Sequence, residues 1–293
     1  MPKISIFAGN YILDMKKVLI FIAALALLLP MASCKKQAPA ALDVMSYNIR
    51  LGVAKDGDNS WDLRKSATPA MLEANTPDIF GVQEAYDFQV AYIAEQCPKY
   101  VPLGVGREDG VSKGEHMSIF YNKEKIDVIE WGTYWLSETP DVPSKGWDAA
   151  CYRTATWALL KLKESGKKFY YVNTHLDHKG VEARAKGLAL IADKIAAMNP
   201  KGYPMVLTGD FNVFPDNPGL EGINAQMKDA RTTADVSDDR GSYNGWGETE
   251  SKVIDYIYYA GFASCTEFKV VTDTYNNIPY ISDHYPVKAH LIF

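Results

Sequence analysis

The clearest signal for the fold of this chain is the segment Met205-Val206-Leu207-Thr208-Gly209-Asp210-Phe211-Asn212. It begins as an apolar run of strand length and ends with an acid and an amide two residues apart. In extended backbone, side chains two residues apart point to the same face. The stretch therefore predicts a buried β-strand that brings Asp210 and Asn212 together at a sheet edge. There, Asp210 would align a water molecule and Asn212 would donate to a phosphate oxygen. An Asx turn before Pro215 is the simpler alternative.

The same arrangement recurs along the chain, because further apolar runs also stop at a polar residue. These residues are Asn48, Glu84, His175, Asp255 and the pair Asp283-His284. Strand ends meet at one edge of an open α/β sheet, and such edges are where these sheets bind ligands. The pattern predicts one polar site assembled from widely separated segments.

The residue types favour metal-assisted chemistry on a phosphate. Hard divalent cations such as Mg²⁺ and Mn²⁺ take oxygen ligands, commonly one or two carboxylates, and Glu84 fits that role. Asp283 is a second candidate ligand, and Asn48 could orient a ligand or a phosphate through its amide. For hydrolysis, His284 would take a proton from water, and Asp255 would fix its tautomer. A solvated strand-end Glu, a strand-terminating Asn and a loop-capping His are the structural alternatives.

Basic and neutral donors are candidates for holding the phosphate itself. His175 would donate a hydrogen bond to it as charge develops. Arg153 and Arg184 are candidate clamps, since guanidinium matches phosphate bidentately. A structural salt bridge is an equal alternative for each arginine. Asp177 and His178 suggest zinc, but no second cluster with ligand spacing supports that interpretation.

Strand-like runs alternate with helical ones, which favours an α/β or α+β domain. Apolar residues spaced by threes and fours predict a helix over 181–198 that ends at Asn199-Pro200. Shorter helices are predicted near 63–74 and 88–96. Further strands are predicted at 118–121, 157–163, 168–173, 252–259 and 287–292. The polar, Gly-rich segment 235–251 is predicted to be an exposed loop near the site.

The N-terminus has the layout of an export signal. Lys16-Lys17 precedes an apolar stretch, 18–29, that is too short to span a bilayer comfortably. Met31-Ala32-Ser33-Cys34 resembles the bacterial lipoprotein cleavage box, although Leu is usual where Met31 stands. We predict a signal peptide over 1–34, a lipidated Cys34, a tether over 35–41 and a single domain over 42–293. The protein would be exported and membrane-anchored, in the periplasm or at the cell surface. Secretion with Cys34 unmodified is the alternative.

Charge and cysteine content narrow the function classes. The net charge is −5, and removing 1–33 takes away a net +2, which leaves −7. The acidic charge disfavours a sequence-independent nucleic-acid coat protein, because such proteins neutralise many phosphates with Lys and Arg. Three cysteines follow Cys34, namely Cys97, Cys151 and Cys265, so at least one is unpaired, and a disulfide cannot be assigned from their spacing. We expect a monomer.

The motifs resemble, in order, those of the endonuclease/exonuclease/phosphatase superfamily, whose members are DNase I-like. The matching pieces are Ser46-Tyr47-Asn48, Val82-Gln83-Glu84, Asn173-Thr174-His175-Leu176, Gly209-Asp210-Phe211-Asn212, Ile254-Asp255-Tyr256 and Ser282-Asp283-His284-Tyr285-Pro286-Val287. The resemblance implies a four-layer sandwich, in which two mixed β-sheets lie face to face between layers of helices. It also implies a magnesium or manganese site.

Roles for the matching residues follow from the same resemblance. Glu84 resembles the principal metal ligand, with Asn48 and Asp283 beside it. Asp210 and Asn212 resemble the pair that positions water and phosphate, and His175 resembles the phosphate-contacting histidine. His284 with Asp255 resembles the catalytic dyad.

A divalent-metal-dependent phosphoester hydrolase is the function that these observations predict. Our first expectation is a phosphodiesterase that acts on nucleic acid or a lipid head group. The alternative is a phosphomonoesterase acting on inositol or sugar phosphates, which the acidic surface and a compact Arg153/Arg184 clamp favour. A non-catalytic binding lipoprotein is a third possibility, against which the complete residue set argues.

Overall fold

Two large mixed β-sheets form the centre of the structure, a computed structural model that describes residues 39–293. The strands, labelled β1 to β15 in chain order, are Ala41–Asn48, Ile79–Gln83, Ala85–Tyr86, Tyr100–Leu103, Glu115–His116, Ile119–Asn122, Ile126–Trp135, Thr154–Leu162, Lys168–His175, Met205–Asp210, Lys228–Asp229, Val236–Ser237, Asp255–Ala260, Ser264–Val270 and Val287–Ile292. The α-helices, labelled α1 to α6, are Trp61–Arg64, Ala67–Asn75, Asp87–Gln96, Val181–Met198, Glu221–Asn224 and Ala230–Thr233.

The strand order brings the polar strand ends to one edge. The seven-stranded sheet runs β12-β14-β15-β1-β2-β6-β4, and the six-stranded sheet runs β11-β13-β10-β9-β8-β7. β1 and β2 are parallel, so Asn48 pairs with Gln83, the residue before Glu84. β9 and β10 are also parallel, and Asp210 pairs with His175 on one side and Asp255 on the other. Each sheet therefore ends in its own set of site residues.

Apolar side chains fill the three interfaces between the layers. Between the sheets, Leu42, Val44 and Ile79 pack in one cluster with Phe169 and Val206. On the outer face of the six-stranded sheet, α4 buries Leu188, Ile191 and Ile195 against Val172 and Leu207. On the other outer face, α2 and α3 bury Met71, Leu72 and Ile93 against Met45 and Phe80. The central strands are apolar on both faces for this reason, and the predicted four-layer sandwich is confirmed.

A polar bridge between the sheets lies just inside the site edge. Gln83 Nε2 donates to Asn173 Oδ1 at 2.7 Å, and Asn173 Nδ2 donates to the Val82 carbonyl at 2.8 Å. Gly81 makes this close approach possible, because a Cβ there would lie 2.3 Å from Asn173 Oδ1. The bridge sets the offset between the sheets, so the residues that follow Gln83 and Asn173 reach the same edge.

Most predicted elements appear close to their predicted positions. The predicted helix 181–198 is α4, and the predicted strand 287–292 is β15. The predicted helix 63–74 is instead two helices, α1 and α2, with a break at residues 65 and 66. β7 and β14 were not predicted.

The prediction that 235–251 is an exposed loop is wrong for its middle part. Ser242, Asn244 and Gly245 are buried. The Ser242 hydroxyl accepts a hydrogen bond from Asp255 N, and the Ser242 carbonyl accepts one from Tyr285 N. These contacts draw the segment between the two sheet edges.

The predicted signal peptide, Cys34 and residues 35–38 of the predicted tether lie outside the described residues. Among residues 39–293, the structure contains no helix with the length and apolar character needed to cross a bilayer.

Candidate active site

A cavity of about 440 Å³ opens at the edge where the strand ends meet. The predicted residues that line it are Glu84, Arg153, His175, Asp210, Asn212, Asp283 and His284. Asn48 and Asp255 lie directly behind them, in hydrogen-bond contact with lining residues. The structure thus brings together every predicted site residue except Arg184.

Asn48 joins the two sheets at the acidic end of the cavity. Its Nδ2 donates to Glu84 Oε1 and to Asp210 Oδ2, each at 3.1 Å. Its Oδ1 accepts from the backbone N of Arg50 at 2.9 Å, and this contact fixes the orientation of the amide. In this arrangement the amino group of Asn48 faces the acids, so Asn48 holds two carboxylates in place.

The carboxylates of Glu84, Asp210 and Asp283 lie at the acidic end of the cavity. Burial and the neighbouring Asp255 carboxylate raise the pKa of Asp210 to about 7. Burial also raises the pKa of Asp283. The charge of His284 opposes this rise, and the Glu84 carboxylate adds to it. Ligand atoms of Glu84, His175 and Asp210 lie within 4.8 Å of one another. Crowded, desolvated carboxylate oxygens are the donor set of a hard divalent cation, so these residues fit the expected metal.

His284 and Asp255 form a buried pair at the next position along the wall. His284 Nδ1 lies 2.7 Å from Asp255 Oδ2, and His284 Nε2 lies 3.8 Å from Asp210 Oδ2. Burial lowers the pKa of His284, but the Asp255 and Asp210 carboxylates outweigh this and raise it to about 10. A cation bound to the acids would offset part of that negative charge. The geometry suits a base at Nε2 that is held and stabilised through Nδ1.

His175 is held by Asn212, whose backbone is in the left-handed region at φ 50°. Asn212 Nδ2 donates to the Leu176 carbonyl and contacts His175 Nε2, both at 3.0 Å. Because the amide must donate in both contacts, His175 carries its proton on Nδ1. That atom is buried, with no hydrogen-bond partner among the described residues. Burial, with Arg153 and Arg107, lowers the pKa of His175 well below its usual value. Asn212 therefore orients His175 and leaves Nδ1 without a hydrogen-bond partner among the described residues.

The two predicted arginines do not form a clamp. Arg153 lines the cavity, and its Nη1 has no hydrogen-bond partner among the described residues. Arg184 lies on α4, outside the cavity lining, and its Nη1 donates to the Asp177 carbonyl at 2.9 Å. The prediction that Arg184 helps to clamp the phosphate is therefore corrected. Helix α4 directs its side chain to the carbonyl of Asp177 and not into the cavity.

The structure adds residues to the cavity wall that the sequence analysis did not assign to the phosphate site. They are Arg50, Leu51, Glu115, Cys151, His178, Phe214, Tyr243, Lys252 and Ile254. Arg50 shows how they are placed: its Nε and Nη2 bind Asp56 at 3.0 and 2.9 Å, while Nη1 lies 3.5 Å from Asp283 Oδ2. Arg50 follows the end of β1 by two residues. This position was the only feature of the sequence that could have placed Arg50 near the site.

Arg64 supports the site from inside, without lining it. Its Nη1 donates to the carbonyls of Ile49 and Ile281 at 2.7 and 2.8 Å, and its guanidinium lies over the rings of Trp61 and Trp246. Ile49 follows Asn48, and Ile281 precedes Asp283 by two residues. Arg64 therefore ties together two chain segments that carry site residues.

Known proteins share both the sequence pattern and the fold. A sequence model described as the Endonuclease/Exonuclease/phosphatase family matches residues 45–284. A crystal structure of a family member from Bacteroides thetaiotaomicron is 36% identical, with a TM-score of 0.82, and the match covers 87% of this chain and 98% of that one. The mannosyl-6-phosphatase of Bacteroides thetaiotaomicron VPI-5482 is also 36% identical, with a TM-score of 0.82 and coverage of 86% and 100%.

A more distant relative is an uncharacterised protein of Acanthamoeba polyphaga mimivirus. It is 31% identical over 159 residues, which cover 52% of this chain and 59% of that protein. A second mimivirus protein is matched over 29% of its length, so this chain spans less than two thirds of the curated relatives. The family match, in contrast, includes every element that contributes to the cavity edge from Asn48 to His284. The chain therefore belongs to the endonuclease/exonuclease/phosphatase family.

Proposed function

We propose that the protein is a divalent-metal-dependent phosphomonoesterase that releases phosphate from a small phosphorylated sugar. The observation that carries the proposal is the composition of the cavity. The cavity of about 440 Å³ is lined by the acidic cluster, by His284, which pairs with Asp255, and by Arg153. Such a volume suits a small ligand. The likeness to a mannosyl-6-phosphatase, over that protein's whole length, favours a monoester over the diester of our first expectation.

The proposed reaction begins with a water molecule that Asp210 and His284 align. His284 Nε2 takes a proton as the water oxygen attacks phosphorus, and Asp255 stabilises the imidazolium through Nδ1. The bond from phosphorus to the sugar oxygen breaks, the electron pair stays on that oxygen, and it takes up a proton from solvent while the His284 imidazolium returns its proton to solvent. The products are inorganic phosphate and the free sugar.

The remaining site residues bind the phosphate. His175 and Arg153 line the cavity, and we propose that they donate to phosphoryl oxygens as charge builds up. Glu84 and Asp283, with Asp210, would hold the Mg²⁺ or Mn²⁺ ion. When bound, the ion supplies positive charge to the phosphoryl group.

A substrate comparison tests the proposal. We expect the protein to release phosphate from mannose 6-phosphate with Mg²⁺ or Mn²⁺, and to lose that activity in EDTA. The kcat/KM for bis-p-nitrophenyl phosphate should be at least about 100-fold lower than that for mannose 6-phosphate. His284→Ala should lower the rate of phosphate release about 100-fold or more, and the matched control His290→Ala should retain the wild-type rate. Cleavage of the diester alone would return the function to a phosphodiesterase. A protein that cleaves no phosphoester but binds Mn²⁺ would be a binding protein.

We also propose that the mature protein is an exported monomer, anchored by a lipid on Cys34. The apolar stretch and cleavage-box sequence before Cys34 support this proposal. In a bacterial host, the wild type should fractionate with membranes and incorporate labelled fatty acid, while Cys34→Ser should do neither. A wild-type protein found only in the soluble fraction would exclude the anchor. Sedimentation of the domain without its leader checks the monomer.

A further inference from the structure

We propose that Glu115 and His178 form a subsite that recognises hydroxyl groups of the substrate, on the cavity wall beside Arg153. This inference rests on the proposed function and extends it from the phosphate to the polyol that carries it. Both residues line the cavity, and neither has a role in the proposed reaction.

The carboxylate of Asp177 holds together the chain segments that form the cavity wall beside Arg153. Its Oδ1 accepts from the backbone N of Lys179 and Gly180 at 2.9 and 2.8 Å. Its Oδ2 accepts from the backbone N of Ala150 and Cys151 and from Arg153 Nε, at 3.1 to 3.3 Å. Asp177 is buried, so these five donors fix the two segments that carry Arg153 and His178.

Arg153 in turn fixes the tautomer of His178. Arg153 Nη2 lies 3.0 Å from His178 Nδ1. A guanidinium can only donate, so Nδ1 is the acceptor and the imidazole carries its proton on Nε2. Burial and the Arg153 charge lower the pKa of His178, which keeps the ring neutral. Nε2 has no hydrogen-bond partner in residues 39–293. His178 thus offers the cavity one neutral, oriented N–H donor.

Glu115 offers the complementary acceptor. Its Oε2 accepts from Arg107 Nη1 at 2.7 Å, and both side chains are buried. Arg107 is held through its backbone, since its N donates to the Glu115 carbonyl and its own carbonyl accepts from Trp135 Nε1. Glu115 Oε1 has no partner among the described residues. The carboxylate is therefore oriented and charge-balanced, with one oxygen left to accept.

These features match a polyol better than a second phosphate or a metal ion. A hydroxyl both donates and accepts, so one oriented N–H and one oriented oxygen can bind it or two adjacent hydroxyls. The carboxylate of Glu115 is an acceptor only, so it offers no hydrogen bond to a phosphate oxygen. Ligand atoms of Cys151, Asp177 and His178 are close enough to share a metal. However, both Asp177 oxygens are already occupied by N–H donors, and His178 Nδ1 is occupied by Arg153.

The test compares two monoesters that share the phosphate but differ in hydroxyl groups. For mannose 6-phosphate and p-nitrophenyl phosphate, we would measure the ratio of the two kcat/KM values. We expect His178→Ala to lower the ratio of the sugar phosphate to the aryl phosphate about ten-fold or more, the usual effect of one lost hydrogen bond to a ligand. His178→Gln keeps an N–H donor and should recover part of the ratio. Glu115→Gln should also lower it, and His290→Ala should not change it.

The outcomes separate this inference from the proposed function. If the wild type is active and His178→Ala, His178→Gln and Glu115→Gln all keep the wild-type ratio of the two kcat/KM values, the subsite alone is overturned. A wild type that hydrolyses p-nitrophenyl phosphate but not mannose 6-phosphate would overturn the proposed sugar substrate, and the subsite with it. Thermal unfolding of each variant shows that the protein is folded, and His178→Gln substitutes for His178→Ala if the latter does not fold.

Discussion

His284 Nδ1 lies 2.7 Å from Asp255 Oδ2, although the two residues belong to the edges of different sheets. Asp255 is the first residue of β13 in the six-stranded sheet, and His284 precedes β15 in the seven-stranded sheet. Asn48 makes the same connection, since it bonds to Glu84 on its own sheet and to Asp210 on the other. The base and the acidic cluster are therefore complete only when the two sheets are packed together.

The dyad predicts a large and specific loss of turnover. His284→Ala should lower kcat about 100- to 10,000-fold, because it removes the base that we propose accepts the proton of the attacking water. Asp255→Asn should lower kcat at least about ten-fold with little change in KM, since it removes the charge that stabilises the imidazolium. Steady-state kinetics with mannose 6-phosphate measures both, and His290→Ala is the matched control. Wild-type kcat in His284→Ala would remove the dyad from the mechanism.

Glu84 predicts a metal-binding defect that does not depend on turnover. Glu84→Ala should weaken Mn²⁺ binding about ten-fold or more, because a hard cation depends on its carboxylate oxygens. Isothermal titration calorimetry on the purified domain gives the affinity. Glu182→Ala, at an exposed position on α4, is the control and should bind Mn²⁺ like the wild type. An unchanged affinity in Glu84→Ala would mean that the ion binds elsewhere.

Gly81 predicts a packing defect between the sheets. In Gly81→Ala the new Cβ would lie 2.3 Å from Asn173 Oδ1 and 2.8 Å from Thr208 Oγ1, both buried. We expect the free energy of unfolding to fall by about 1–3 kcal/mol or more, as in overpacked cores. Gly222→Ala is the matched control, since its Cβ would meet only Ala192 Cβ at 3.6 Å. Urea unfolding of both variants measures the difference, and equal stability would contradict the close approach.

Asp177 predicts a stability difference that depends on pH. Burial opposes its ionisation, but the backbone N–H groups of Gly180, Lys179 and Ala150, with Arg153, hold the pKa of Asp177 below its usual value. A carboxylate with a lowered pKa stabilises the folded state above the unfolded-state value of about 4, and this contribution is lost as the pH falls below it.

Asp177→Asn should therefore lower the free energy of unfolding by about 2–3 kcal/mol at pH 7, the scale of charged hydrogen bonds. The gap to the wild type should narrow as the pH falls below about 4. Urea unfolding at several pH values measures this gap, with Asp193→Asn, an exposed position on α4, as the control. A gap of constant size from pH 7 to pH 3 would show that the charge of Asp177 does not stabilise the fold.

Sequence periodicity located the elements that carry the predicted site residues. The apolar runs that end at Asn48, His175 and Asp210 are strands β1, β9 and β10, each ending at that residue. Such predictions succeed because strand period, apolar content and a terminal polar residue are all local properties. The break between α1 and α2 was missed because the apolar pattern continues across residues 65 and 66.

Three positions were beyond the reach of this reasoning. Glu115 lies in the two-residue strand β5, and His178 follows β9 by three residues, outside any strand or helix. Arg184 is on α4, and its side chain lies outside the cavity lining. Their positions depend on contacts between distant segments, such as the bond of Arg153 to Asp177.

The strand and helix pattern, the order of the motifs and the identity of the residues at the strand ends could be read from the sequence, since each depends on neighbours along the chain. The packing of distant segments settles which side chains share the cavity, which tautomers His175 and His178 adopt, and which of the two predicted arginines lines the cavity. These depend on the offset between two packed sheets, which Gly81, Gln83 and Asn173 set through contacts across nearly a hundred residues of chain.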